Sequence, residues 1–159
     1  MKQSSLANWL KFIIIGVGIC GLILYAGFIP IFGQSMIYQY PEFTSWYYPW
    51  LIFLCITAIP CYIVLFFAWK IATNIGKEET FTYINADYFK KISILAAVDS
   101  VFFIIVNIVY LFLNMNHPGV VLISCIVFFF GVAVSVASSA LSHLVVKAAE
   151  LQIQSDFTI

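Results

Sequence analysis

The sequence predicts an all-α membrane protein, a four-transmembrane-helix bundle of two antiparallel hairpins, and three observations carry that expectation. The 159 residues are 64% hydrophobic, 18% aromatic and 9% charged, with a mean hydropathy of +1.05, whereas soluble domains are roughly 25% charged. The apolar residues gather in blocks of about 20, long enough to cross a ~30 Å hydrocarbon core as helices. The two-residue alternation of a membrane barrel is absent, so the backbone in lipid is satisfied within helices.

Met1 to Lys11 is short, polar and basic, with Trp9 suited to the headgroup layer. Span one follows over residues 12–32, without a charge. A secretory signal opens the same way, but this apolar run outlasts a signal core and no small-x-small cleavage site precedes Pro30, so a retained helix is expected. Inside it, Gly16-Val17-Gly18-Ile19-Cys20-Gly21 matches a dinucleotide fingerprint by letter. That fingerprint needs a strand before it and a helix opening in water; within a span, small residues instead admit a neighbouring helix.

Residues 33–48 form the first loop, crowded with Tyr38, Tyr40, Phe43, Trp46, Tyr47 and Tyr48 and carrying one charge, Glu42. An interfacial aromatic belt is the expected reading, with an aromatic ligand site as the alternative. Span two covers residues 50–69; Pro49 suits its first turn and Pro60 should kink its middle. A cytoplasmic connector, 70–91, leads to span three at 92–113. The turn Asn114-Met115-Asn116-His117 then gives way to span four at 119–146, about 42 Å long and so obliged to tilt or to extend past the hydrocarbon. The tail, 147–159, continues it as a short amphipathic helix with Leu144, Ala148 and Leu151 at helical spacing.

All 7 basic residues are Lys. They fall before span one, around the connector and after span four, and the two opposite loops have none, so the positive-inside rule puts both termini and the connector in the cytoplasm. A formal net charge of zero and the lack of Arg argue against direct nucleic-acid binding. The 4 cysteines, Cys20, Cys55, Cys61 and Cys125, lie in apolar blocks without metal spacing and read as small buried side chains. No metal or cofactor is expected.

Asp99 is the one carboxylate placed deep in a span, about 12 Å inside Lys91. Such a group is costly in hydrocarbon and should face the bundle interior with a partner. Counted back from Lys147, the matching depth on span four falls near Ser138 and Ser139, and Gly131, Ser135, Ser139 and His143 repeat at i, i+4 as one polar stripe. Asp99, with Asn107 deeper in the span, is expected to meet that stripe. Three readings stay open: a hydrogen-bonded interhelical clamp, a proton or cation relay through Asp99 and His143, and polar contact with a partner helix or a second copy. Catalysis ranks below them, because nothing frames Ser139 as a nucleophile and an aspartyl protease needs paired aspartates.

In the connector, Gly76-Lys77 reads as a turn, Thr82 or Thr80 as a helix cap, and Phe81, Ile84 and Tyr88 as the apolar face of an amphipathic helix lying on the membrane before span three. Lys90 and Lys91 would anchor it to headgroups. A plain solvated or lipid-facing linker is the alternative to a docking site.

Gly76-Lys77, Thr80-Phe81-Thr82 and Asn85, then Tyr88-Phe89-Lys90-Lys91-Ile92, together with the terminal Ala149-Glu150-Leu151-Gln152 before Ser155-Asp156-Phe157-Thr158-Ile159, resemble a family of small bacterial integral membrane proteins known as a domain of unknown function. That family has four spans and is often encoded beside a small Cro-like helix-turn-helix regulator; its end reads Asn-Asp-Leu-Thr-Ile, from which this chain departs at Ser155 and Phe157. The resemblance implies a multi-pass protein of the bacterial inner membrane, with a regulatory or sensing role alongside a cytoplasmic regulator, and it brings no catalytic residue. A non-enzymatic component of that kind is the leading expectation, with the lipid bilayer, a helix-turn-helix regulator and a homo-oligomer as partners. A small proton-coupled transporter using Asp99, and an immunity protein against membrane-active peptides using the aromatic loop, are the alternatives.

Overall fold

The computed structural model describes residues 3–156; Lys2, and Phe157, Thr158 and Ile159 of the terminal motif, lie outside them. Four helical stretches are long and apolar enough to cross a membrane. The first is α1 (Gln3–Leu22), a π-helical segment (Ile23–Phe28) and α2 (Ile29–Gln39) in direct succession. The others are α3 (Thr44–Gly76), α4 (Tyr83–Phe112) and α5 (Pro118–Asp156).

Local chemistry explains where these helices break, and it moves several expected boundaries. The residues expected as the first loop are mostly helical, because nothing in Gln34 to Gln39 opposes a helix. The chain turns only at Tyr40, held extended at φ −131 ahead of Pro41, whose ring disfavours a helical conformation in the residue before it. α3 then begins at Thr44, so Pro49 lies inside the helix together with Pro60. The connector shrinks to residues 77–82, and the amphipathic segment forms the first turns of α4 instead of a separate stretch. Gly76, expected in a turn, is the last residue of α3, and the left-handed turn falls on Glu78 at φ 66.

The spans pack as a row in chain order. α1 packs on α3, α3 on α4 and α4 on α5, while no Cα of α1 comes within 8 Å of α4 or α5. Between α1 and α3, the Tyr62 hydroxyl donates to the Gly18 carbonyl at 2.9 Å, and a Cβ on Gly21 would lie 3.0 Å from that hydroxyl. Two of the small residues of span one therefore do admit a neighbour, while Gly16 faces open space. Between α4 and α5, Ser93 and Ser135 share a hydrogen bond of 3.1 Å and Ser142 donates to the Ala86 carbonyl at 2.7 Å. Gly131 approaches so closely that a Cβ would overlap the Ser100 hydroxyl.

Lys11 of α1, Lys70 of α3 and Lys91 of α4 lie toward the same end of their helices. Lys11 sits over Trp69, Lys70 over Phe66 and Lys91 over Phe67, with ring centroids 5.3–5.6 Å from the ammonium groups. Long stems along apolar surface with a charged head above an aromatic face suit the edge of a hydrocarbon layer. From Lys90 the helix rises about 30 Å to Tyr110, a hydrocarbon thickness, and Asp99 lies near the middle of that rise.

Candidate functional site

α4 carries three polar side chains that matter, and they have different surroundings. At the lysine-bearing end, Asn85 is fully buried. Its amide donates to the carbonyls of Glu79 at 2.8 Å and Thr80 at 3.0 Å, and its oxygen accepts from Asn74 at 2.7 Å. Thr82 is the N-cap, accepting from the Asn85 backbone at 3.4 Å. This knot fixes the corner between α3 and α4. Gly76 supports it by letting Ala7 of α1 approach, since a Cβ there would lie 3.1 Å from the Ala7 methyl.

At the other end Asn107 is also fully buried. It donates to the Phe103 carbonyl at 2.9 Å and accepts from Asn116 at 3.1 Å, tying α4 to the turn before α5. Asn107 therefore does not join Asp99, contrary to expectation. It closes the aromatic end, where Trp50 donates to the Met115 carbonyl at 3.1 Å and Tyr110 to the Pro49 carbonyl at 3.0 Å.

Asp99 lies between these two locks, and no comparable lock holds it. The Cys61 thiol of α3, 4.0 Å from its carboxylate, is a weak donor at long range. Beyond it opens a cleft of about 520 Å³, walled by α1, α3, α4 and α5, with Leu24, Leu65, Leu95 and Val134 supplying apolar surface. Two backbone irregularities meet at this level. The π-helical segment sets Tyr25 within 3.5 Å of the Thr57 hydroxyl, and Pro60, next to Cys61, removes a backbone bond from α3. Isolated π-helical turns occur often at functional sites.

The polar stripe of α5 lies elsewhere than expected. Its register on α4, set by Ser93 with Ser135 and Ser100 with Gly131, puts Gly131 rather than Ser138 or Ser139 at the depth of Asp99. The expected register fails because the close approach at Gly131 fixes how the two helices slide. Ser135 bonds Ser93 and Ser138 is buried, whereas Ser139 and His143 are exposed. No Asp99–His143 pair forms.

The connector residues also separate. Gly76, Thr82 and Asn85 build the corner, Phe81 and Lys90 are exposed, and Lys91 pairs with Asp87 at 2.7 Å. At the aromatic end, Trp46, Tyr47, Trp50, Phe32 and Met115 line a second cavity of about 490 Å³, whereas Tyr38 and Tyr48 point outward as belt residues would. Among the described residues no group of three or more His, Cys, Asp or Glu could hold a metal ion. Sequence reasoning missed Tyr25, Asn74 and Asn116, and it took the cysteines for buried side chains, whereas Cys20, Cys55 and Cys61 are exposed and Cys125 is half-buried. For Cys61 a signal was present, a run of polar atoms beside a proline at Thr57 to Cys61; Tyr25 and Asn74 have no such neighbour.

A family profile described as a protein of unknown function, DUF2975, matches residues 31–159. The chain belongs to that family. It is also 26% identical over 160 residues, 99% of each chain, to the uncharacterized membrane protein YoaS of Bacillus subtilis (strain 168). No solved structure matches. The DUF2975 match takes in α2 from Ile31 onward and all of α3, α4 and α5, and so Cys61, Asp99 and the Asn85 corner; it leaves out Tyr25 and α1.

Proposed function

We propose that the protein is a non-enzymatic sensing component of the membrane, in which the cleft at Asp99 receives a membrane-borne ligand and the Asn85 corner reports its occupancy to a cytoplasmic partner. The observation that carries this reading is the contrast along α4: asparagines lock both ends, while the mid-membrane carboxylate faces a cavity. A structural clamp would look like Asn85, with every polar atom matched at short range. Asn85 and Asp99 are about 21 Å apart on one unbroken helix, both turned toward α3, so a change in how α4 sits on α3 at the cleft reaches the corner.

The lysine distribution supports a cytoplasmic location for the corner and for the end of α5. α5 runs on for about 21 Å beyond Ser142, its contact with Ala86, and Leu151 there is exposed. Together these give a partner two surfaces, and a small helix-turn-helix regulator is the partner class that the resemblance implies. Photo-crosslinkers at Tyr83 and Gln152, in native membranes, should capture a discrete partner whose yield changes with Asp99→Asn. No adduct at either position, or the same yield with both side chains at 99, would refute the reading.

The aromatic cavity favours a second reading, protection against membrane-active peptides. It predicts that Trp46→Ala raises sensitivity to such peptides in cells while expression is unchanged. The proton relay through Asp99 and His143 gains no such support, since His143 lies on the exposed face of α5.

A further inference from the structure

Among the described residues Asp99 has no cationic partner, and no Lys, Arg or His lines the cleft. The nearest basic residues on its own helix, Lys90 and Lys91, lie at least about 12 Å along the axis, and Lys91 is held by Asp87. The polar side chains on the wall beside the carboxylate are Cys61, Tyr25, Tyr62 and Ser100, and the Tyr62 and Ser100 hydroxyls donate to the Gly18 and Ala96 carbonyls. A carboxylate at this depth is stabilised by a counter-charge or a proton, and apart from these groups and Cys20 the rest of the wall is small or aliphatic. Because α1 and α5 stay apart, the cleft reaches the lipid, where amphiphiles concentrate.

We infer that the cleft binds a lipophilic cation, a protonated amine or an onium centre on an apolar body, with the charge on the Asp99 carboxylate and the body against Leu24, Leu65, Leu95 and Val134. This rests on the reading of the cleft as the ligand site and names the class of ligand. Charge complementarity favours a cation over a neutral acyl chain: an acyl chain would bury the carboxylate without pairing it, whereas a cation supplies the missing partner and gains from the tyrosine faces. The volume, about 520 Å³, falls within the range of small-molecule sites.

The test uses the full chain in phosphatidylcholine nanodiscs, with tetraphenylphosphonium as cation and triphenylphosphine oxide as neutral counterpart, both titrated by calorimetry. Saturable cation binding is expected, weakened roughly 30-fold or more by Asp99→Asn, retained by Asp99→Glu and unchanged by Trp46→Ala in the aromatic cavity. The neutral compound should not distinguish Asp99 from Asn. Leu95→Trp, which keeps the carboxylate and fills the apolar side, should lower cation affinity as well, so the inference does not depend on the folding of one variant. Equal cation affinity in wild type and Asp99→Asn, or loss in Trp46→Ala instead, would overturn it. Should cation binding be absent while Leu95→Trp still alters the Asn85 corner, the ligand class fails and the sensing reading stands. Cation binding without any change at the corner means the opposite: the ligand class stands and the sensing reading fails.

Discussion

The Asp99 carboxylate lies 4.0 Å from the Cys61 sulfur, near the middle of the membrane-spanning rise of α4, and has open space rather than a matched donor on its other side. By contrast Asn85, on the same helix, has three side-chain hydrogen bonds of 2.7–3.0 Å. The unequal treatment of these residues is the basis for proposing a ligand site at Asp99 beside a structural lock at Asn85, and that proposal predicts opposite mutational outcomes.

Asp99→Asn is expected to leave thermal stability in detergent within about 1 kcal/mol of wild type, or to raise it, because it removes a desolvated charge and breaks no short hydrogen bond. A clamp predicts instead a clear loss of stability. Unfolding monitored by circular dichroism distinguishes the two.

Asn85→Ala leaves two backbone carbonyls and the Asn74 amide without their partner in a buried corner. A loss of about 3 kcal/mol follows from bonds worth roughly 1 kcal/mol each, read as a lower unfolding temperature. Wild-type stability in this variant would mean that the corner is not a lock.

Much of this is legible in the sequence, and the illegible parts have physical causes. Four apolar blocks and lysines confined to their flanks suffice to find four long helices, because bilayer thickness sets their length. The polar contacts depend on how helices slide and rotate against one another, which hydropathy does not encode. Counting residues from Lys147 matches Asp99 with Ser138, whereas the contact of Gly131 with Ser100 shifts α5 by about two turns. Asn85 reads as part of a recognition motif because a buried asparagine at a helix corner and an exposed one in a docking loop look alike in one sequence. The Tyr40–Pro41 break is legible in principle, through the constraint that proline puts on the residue before it.

Gly131→Ala places a methyl on the Ser100 hydroxyl, which now donates to the Ala96 carbonyl at 2.6 Å. A destabilisation of about 1–3 kcal/mol is expected from such overpacking. In a double-mutant cycle Ser100→Gly should recover part of it, with a coupling of at least about 0.5 kcal/mol. Additive effects would place the two residues apart.

Glu78 adopts φ 66 with a side chain that disfavours it. Glu78→Gly should therefore stabilise the corner by about 1 kcal/mol, seen as a small rise in unfolding temperature; a fall would contradict the left-handed geometry of this turn.

The most direct test of the central claim compares amide hydrogen exchange at residues 77–86 in wild type and in Leu95→Trp, in nanodiscs without added ligand. Leu95 lines the cleft; the amides of residues 83–86 lie about two and a half to three turns away along α4, and those of 77–82 lie beyond them in the connector. If occupancy of the cleft is transmitted to the Asn85 corner, filling it with the indole changes protection there while the amides around Asn107 hold their wild-type rates. Identical exchange at the corner in the two proteins would contradict the account.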